Sequence, residues 1–118
     1  MIFLSKLHED RFNKLLERSA LSQSRERKPL FYILAAFEDT YKAADRVYNF
    51  DSEAIFRDCT KRLIFDFDSH SELIKLAFNL YNSVNKCNIC DVMISCGKAE
   101  RTVAVEAIKL RWEMEENA

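Results

Sequence analysis

Ser69-His-Ser-Glu-Leu-Ile-Lys-Leu-Ala-Phe-Asn-Leu-Tyr-Asn82 carries a helix start and a helix face in one stretch. Ser69 as N-cap and Glu72 at N3 match a capping box, in which each side chain satisfies a backbone N–H that the first turn leaves unpaired. An apolar run follows at once. The predicted helix, over about 70–82, carries Leu73, Ile74, Leu76, Ala77, Phe78, Leu80 and Tyr81, and only Lys75, Asn79 and Asn82 form a narrow polar stripe. A helix this apolar has to be covered on several sides, so it is expected to be the central element.

On its N-terminal side, Val47-Tyr-Asn-Phe50 and Leu63-Ile-Phe-Asp-Phe67 are aromatic and β-branched, and are expected to pair as a short two-stranded ribbon. Between them, Ser52 to Cys59 reads as a brief helix behind an Asp51 cap. Pro29 suits a first helical turn and opens a second helix. There Leu30, Ile33, Leu34, Phe37, Tyr41 and Ala44 fall on one stripe. The polar stretch Ser19 to Lys28 has no such periodicity and reads as a loop. Ser5 is a fair N-cap for a first helix over Lys6 to Arg18, with Leu4, His8, Phe12, Leu15 and Leu16 at helical spacing.

On the C-terminal side, Asn85 to Gly97 contains a short helix expected to start at Asp91 and to stop at Gly97, whose freedom at positive φ suits a C′ position. A last helix is expected over about Glu100 to Glu115. Val103, Ala107, Leu110 and Met114 lie on one track, and Val105, Ile108 and Trp112 on the next. The expected fold is one mainly α domain over residues 1–118, a bundle of four to five helices with at most one short ribbon.

Composition excludes more than it indicates. Gly97 is the only glycine in 118 residues, so no phosphate-cradling loop, dinucleotide fingerprint or nucleophile elbow can be built, since each needs several glycines at fixed offsets. Lys plus Arg number 18 against 19 Asp plus Glu, so no overall field attracts nucleic acid or an anionic membrane. The longest apolar run, Leu30 to Phe37, is far short of the roughly 20 residues that span a bilayer. With no signal-peptide pattern at Met1-Ile-Phe-Leu-Ser-Lys6, the expected location is cytoplasmic, and Cys59, Cys87, Cys90 and Cys96 are expected to stay reduced.

Each chemical lure has a plainer reading. Cys87-Asn-Ile-Cys90 with Cys96 is half of a zinc site, but a second knuckle is missing, and no metal or cofactor is expected. His8 lies among apolar neighbours, as a packed histidine does. His70 lies in the capping box, where a solvent-facing residue is expected. Neither has a nucleophile at a recognisable spacing, and no catalysis is expected. Asp66, Asp68 and Glu72 lack the alternation and the glycine of a calcium loop, and read as helix-start charges.

Arg25, Arg27 and Lys28 form the only dense basic cluster, which Arg11, Lys14 and Arg18 approach if the loop folds back; with Glu26 inside it a solvated loop is expected, the other readings being a site for an anion or an acidic partner and an intramolecular ion pair to Glu38 or Asp39. Lys75, Asn79 and Asn82 are expected to satisfy backbone groups of the irregular middle region, the other reading being a small binding groove.

In Arg25-Glu-Arg27, Leu30-Phe-Tyr-Ile33, Glu38-Asp-Thr-Tyr41, Tyr48-Asn-Phe50, Asp66-Phe67 and the Leu73 to Asn82 run, the chain resembles a family of small proteins of unknown function from Gram-positive bacteria and their phages. Pro29 and the Cys87, Cys90, Cys96 trio depart from that pattern. The resemblance implies a non-catalytic phage or prophage protein that binds and modulates a host protein, an inhibitor of a defence system such as a CRISPR nuclease being one such role. It would then act in the host cytoplasm. Expected contact residues are Arg25, Arg27, Glu38, Asp39, Tyr41, Asn79, Tyr81 and Asn82, charged and aromatic groups of the kind that dominate interfaces. The rival reading is a protein that sequesters a small nucleotide-like signal, with Arg25, Arg27 and the Lys75 to Asn82 stripe converging on it. Composition leaves the oligomeric state open, a homodimer included.

Overall fold

The computed structural model describes residues 1–56 and 70–114. Among them the chain forms α1 (Lys6–Arg18), α2 (Arg27–Ala36), α3 (Glu38–Lys42), α4 (Ala44–Val47), β1 (Tyr48–Asn49), β2 (Ala54–Ile55), α5 (Ser71–Tyr81), α6 (Ile89–Ser95) and α7 (Lys98–Trp112). The protein is mainly helical with one short antiparallel ribbon, and no described helix is long and apolar enough to cross a membrane.

The centre of the fold is α2. Every residue from Pro29 to Ala35 is buried, and Leu30 through Ala35 have no exposed surface. The helix packs against α1, α5 and α7. This corrects the expectation that the 70–82 helix lies at the centre: that helix keeps Lys75 and Asn79 half-exposed, whereas Leu30 to Ala35 has the Tyr32 hydroxyl as its one polar side-chain group and must be enclosed on every side. Pro29 is the third residue of α2, where the N–H it lacks would have had no intrahelical partner.

Phe37 ends α2 by turning extended (φ −131°, ψ 153°). The buried Thr40 hydroxyl lies 2.9 Å from the Leu34 carbonyl, which the helix end leaves open and to which it donates, and 3.0 Å from that of Phe37. The Tyr41 N–H reaches the Phe37 carbonyl at 2.9 Å. The stripe expected to continue through Tyr41 to Ala44 is therefore cut into α3 and α4, which keep Thr40, Ala44 and Val47 inside.

The first helix has the expected bounds. The Ser5 hydroxyl accepts the His8 N–H at 3.2 Å, and His8, Phe12 and Leu15 form the buried face. Adjacent α2 residues serve opposite sides: Tyr32 meets Phe3, His8 and Phe12, while Phe31 meets Tyr48 and Phe50. The Tyr32 hydroxyl donates to the Ile2 carbonyl and pins the N-terminal segment over this cluster.

Several expected boundaries are corrected. The partner of β1 is Ala54–Ile55, with Tyr48 opposite Ile55 and Asn49 opposite Ala54, so the Ser52 to Cys59 helix does not form over its first residues. Asn49 Oδ1 instead accepts the Asp51 and Ser52 N–H groups in a side-chain-made turn. The expected 63–67 strand, Cys59, Asp66, Asp68 and the Ser69 cap lie outside the described residues; the helix itself is seen from Ser71 to Tyr81. The short helix is started by Asn88, whose Oδ1 accepts the Cys90 and Asp91 N–H groups. Gly97 has φ −82° and stands at the N-cap of α7, not at a left-handed stop. Its lack of a Cβ leaves room for the Glu100 carboxylate, which a Cβ would approach to 3.1 Å. The last helix starts at Lys98 and ends at Trp112, where Glu113 adopts the left-handed conformation (φ 55°).

His8 is buried and neutral. Its Nε2–H donates to the Tyr32 carbonyl at 2.9 Å and its bare Nδ1 accepts the Leu4 N–H at 3.1 Å, which leaves no site for a second proton. Burial lowers its pKa from the ordinary 6.5, against the Tyr32 bond that raises it. The unfolded chain binds a proton in a pH range where the folded chain refuses it, so stability is full above pH 6.5 and falls as pH drops toward the lowered folded value. Urea unfolding at about pH 5.5 and about pH 7.5 should show lower stability at the acid pH, and His8→Gln should flatten that slope by up to about 1.4 kcal/mol per pH unit. An unchanged slope would mean that His8 does not drive it.

Candidate interaction surface

The residues singled out in the sequence separate into three places. Glu38, Asp39 and Tyr41 stand on α3, beside the outer flank of α1. The Arg11 guanidinium lies over the Tyr41 ring, 5.0 Å from its centroid, and the Arg18 guanidinium lies over Phe50 at 3.9 Å while pairing with Asp45. Glu38 pairs with Lys42 across one helical turn at 3.0 Å, and this contact holds its carboxyl below the usual range. Lys14 lies exposed between Arg11 and Arg18. The result is a charged ridge along α1, α3 and α4, with a guanidinium seated on an aromatic ring near each end.

Asp39 turns toward α5. Its carboxylate lies 2.8 Å from His70 Nδ1, and His70 Nε2 lies 3.5 Å from Glu100. The imidazole stacks on Phe37 at 4.2 Å with the rings 17° apart. His70 is therefore a half-buried joint between α3, α5 and α7, not the solvent-facing first-turn residue expected of it.

Arg27 is committed internally. Its Nε donates to the Tyr48 hydroxyl at 2.9 Å, Nη1 to Ser24 Oγ at 3.1 Å and Nη2 to the Glu53 carbonyl at 2.7 Å, with Tyr81 5.5 Å away beneath the guanidinium. Glu53 is the counterpart. Its carboxylate accepts the Ser19 hydroxyl at 2.8 Å, the Ala20 N–H at 2.6 Å and the Tyr48 hydroxyl. Burial pushes the Glu53 pKa up, but these donors outweigh it and the carboxyl stays below its ordinary value. Burial, then the bond to Glu53, push the Tyr48 phenol up to about 12. This network ties the end of α1, the start of α2 and the ribbon together, and it holds Glu53 at φ 55°, a conformation unfavourable for a residue with a Cβ.

Arg25 does not join it. It pairs with Glu113 at the end of α7, 2.9 Å away, and not with Glu38 or Asp39. Arg11 and Arg18 are held by Tyr41, Asp45 and Phe50, so the basic residues do not gather into one anion site.

The polar stripe of α5 closes its own helix end. Asn79 Nδ2 donates to the Asn85 carbonyl at 2.8 Å, Asn85 Nδ2 reaches the Phe78 carbonyl at 3.4 Å and Asn82 Oδ1 accepts the Val84 N–H at 3.0 Å. These are backbone groups in the last turn of α5 and just after it, not those of the middle region. Lys75 pairs with Glu72 at 2.9 Å beside a cleft of about 500 Å3 that Lys86, Cys87, Asn88, Ile89 and Asp91 complete. Neither Arg25 nor Arg27 lines it, and its two lysines face two carboxylates.

Cys87, Cys90 and Cys96 are free thiols, and burial raises the pKa of Cys87 and Cys96. Among the described residues no three His, Cys, Asp or Glu side chains are placed to hold a metal ion.

Sequence reasoning missed Glu53 and Trp112. Nothing local marks Glu53, whose partners lie from position 19 to position 48. Trp112 lies on the second apolar track, a spacing that does not register its exposure: the indole is 61% exposed, with the Arg111 guanidinium 4.3 Å from the ring centroid.

The geometry separates structural from exposed arginines. Arg27→Ala removes three hydrogen bonds from a half-buried cation and should destabilise the fold by roughly 1.5–3 kcal/mol. Arg25→Ala breaks only an exposed pair and should change stability by less than about 1 kcal/mol. Urea denaturation of both variants near neutral pH decides it; equal effects would contradict the assignment.

No curated protein and no solved structure matches the chain. Over residues 1–118 it matches a family of unknown function, DUF6075, and the protein belongs to that family.

Proposed function

We propose that the protein is a non-catalytic binding module of phage or prophage origin that occupies the surface of a host protein, defence machinery included, through the ridge formed by α1, α3 and α4. The observation that carries this reading is the pair of guanidinium–aromatic steps, Arg11 on Tyr41 and Arg18 on Phe50, with Lys14 between them. Arginine and tyrosine are the groups that most often dominate binding energy, and stacked arginines are already held in place before a partner arrives. Glu38, Lys42 and Asp45 alternate in sign beside them and supply specificity more than affinity.

Support for the small-ligand reading is weaker. Arg27 would have to give up its bonds to Tyr48, Ser24 and Glu53 to receive a phosphate, and the cleft beside Lys75 offers an anion as many carboxylates as ammonium groups.

The test is capture of a partner from a Gram-positive host lysate, identification by mass spectrometry, and calorimetry with the purified partner. Arg11→Glu combined with Arg18→Glu should weaken binding at least about tenfold, close to 1.4 kcal/mol, with far-UV circular dichroism unchanged. Arg25→Glu should bind as the parent does. Equal binding by all three, or turnover of a substrate that is lost when one ionisable side chain is altered, would overturn the proposal.

A further inference from the structure

Met1-Ile-Phe-Leu4 lies outside every helix and strand and is held by side chains of three helices. The Ile2 N–H reaches Glu106 Oε2 of α7 at 3.4 Å, the Ile2 carbonyl accepts the Tyr32 hydroxyl of α2, and the Leu4 N–H donates to His8 Nδ1 of α1 at 3.1 Å. Phe3 completes the attachment: its ring meets His8 edge-on at 5.2 Å, Phe12 at 5.6 Å and Tyr32 at 5.9 Å. The segment therefore covers the aromatic seam between α1 and α2 and leaves Met1 and Ile2 exposed on its outer side.

A single proton removes one of these holds. Nε2–H of His8 is already spent on the Tyr32 carbonyl at 2.9 Å, so an added proton has to go to Nδ1, where it meets the Leu4 N–H head-on. Two donors cannot face each other, and the shortest relief is for Leu4 to leave. Ser5 is tied separately: its Oγ accepts the His8 N–H and its carbonyl accepts the Glu9 N–H, both at 3.2 Å, so the break falls between Leu4 and Ser5 and α1 keeps its cap.

We propose that residues 1–4 are a proton-released strap: protonation of His8 at Nδ1 detaches Met1 to Leu4 from α1, α2 and α7 and uncovers the rings of Phe12 and Tyr32 while the helices stay packed. The bond from Nε2–H to Tyr32 is untouched by that proton and keeps α1 on α2. The charged and titratable groups around the imidazole set the direction. From α1 the Arg11 guanidinium opposes an imidazolium, from α2 the Tyr32 phenol is held protonated by burial and then by Glu106, and from α7 Glu106 itself pairs with Lys109 at 3.4 Å. Among the described residues no carboxylate pairs with His8 to hold a proton in the closed state. Burial lowers the pKa of the covered ring from 6.5, and release returns the ring to water. Opening therefore takes up a proton, and the open population rises as pH falls below 6.5, by up to about tenfold per pH unit, until the closed state binds the proton too. The strap does not depend on the binding role proposed for the ridge.

Two-dimensional NMR of the full chain from about pH 7.5 to about pH 5 tests this. Amide signals of residues 2–4 and the Phe3 ring should move with the same midpoint as the His8 ring, below 6.5, while the amides of Leu30 to Ala35 and the far-UV circular dichroism hold. His8→Gln should leave residues 2–4 in place over the whole range. Phe3→Ala, at a half-buried position, loosens the strap without touching the titrating ring; it should raise the open population at least about tenfold at a given pH and bring the His8 midpoint closer to 6.5. Three results would each overturn the proposal: residues 2–4 that stay fixed while His8 titrates, a His8 ring that stays neutral throughout or takes up its proton only when the α2 amides are lost as well, and a His8 midpoint indifferent to Phe3→Ala.

Discussion

The enclosure of α2 is the constraint on which everything else rests. Six consecutive residues, Leu30 through Ala35, have no exposed surface, so the helix has no outer face and three others must close around it. Of these, α1 has one side committed to α2 and the opposite side exposed, while α5 and α7 also pack on each other and on α6. That is why α1 presents Arg11, Lys14 and Arg18 outward. The charged ridge is in part the back of a helix recruited to bury that apolar run.

Most of the helical layout was legible because helices are local. Ser5 and the spacing His8, Phe12, Leu15 define α1 without reference to anything distant, and the apolar density of 73–80 defines α5. The breaks were harder to see. Phe37 lies in the middle of an unbroken apolar stripe, and the helix stops there because Thr40 folds back on the Leu34 carbonyl, a contact that periodicity does not register. Gly97 carried the opposite risk: its composition suggested a helix stop, whereas its role is to leave space for Glu100 next to a helix start. Apolar density alone favours α5 as the centre, but its narrow polar stripe still marks an edge of the core, and the buried run of α2 has none.

Little of the functional surface could be read in advance, since it consists of pairs far apart in the chain. Arg11 with Tyr41 and Arg18 with Asp45 and Phe50 are joined only by the packing of α1 on α2 and the turn at Phe37. Of the residues singled out, Glu38 and Tyr41 belong to that surface. Asp39 joins α3 to α5 and Arg27 serves the inner network with Glu53, while Asn79 and Asn82 shape the turn after α5. Side-chain type alone could not separate an arginine awaiting a partner from one already satisfied.

Glycine scarcity has a structural counterpart in how the chain makes its corners. Thr40 closes the one after α2, Asn49 the ribbon turn, Asn79, Asn82 and Asn85 the bend after α5, and Asn88 the start of α6. Each is a side chain reaching a particular backbone group two to seven positions away. Adding even one residue at such a corner carries the side chain off the group it serves, whereas a corner made by glycine would only flex. A chain built this way can diversify readily by exchanging surface residues but poorly by lengthening its connections, so grafted loops or inserted tags belong on the helix backs and not at the bends.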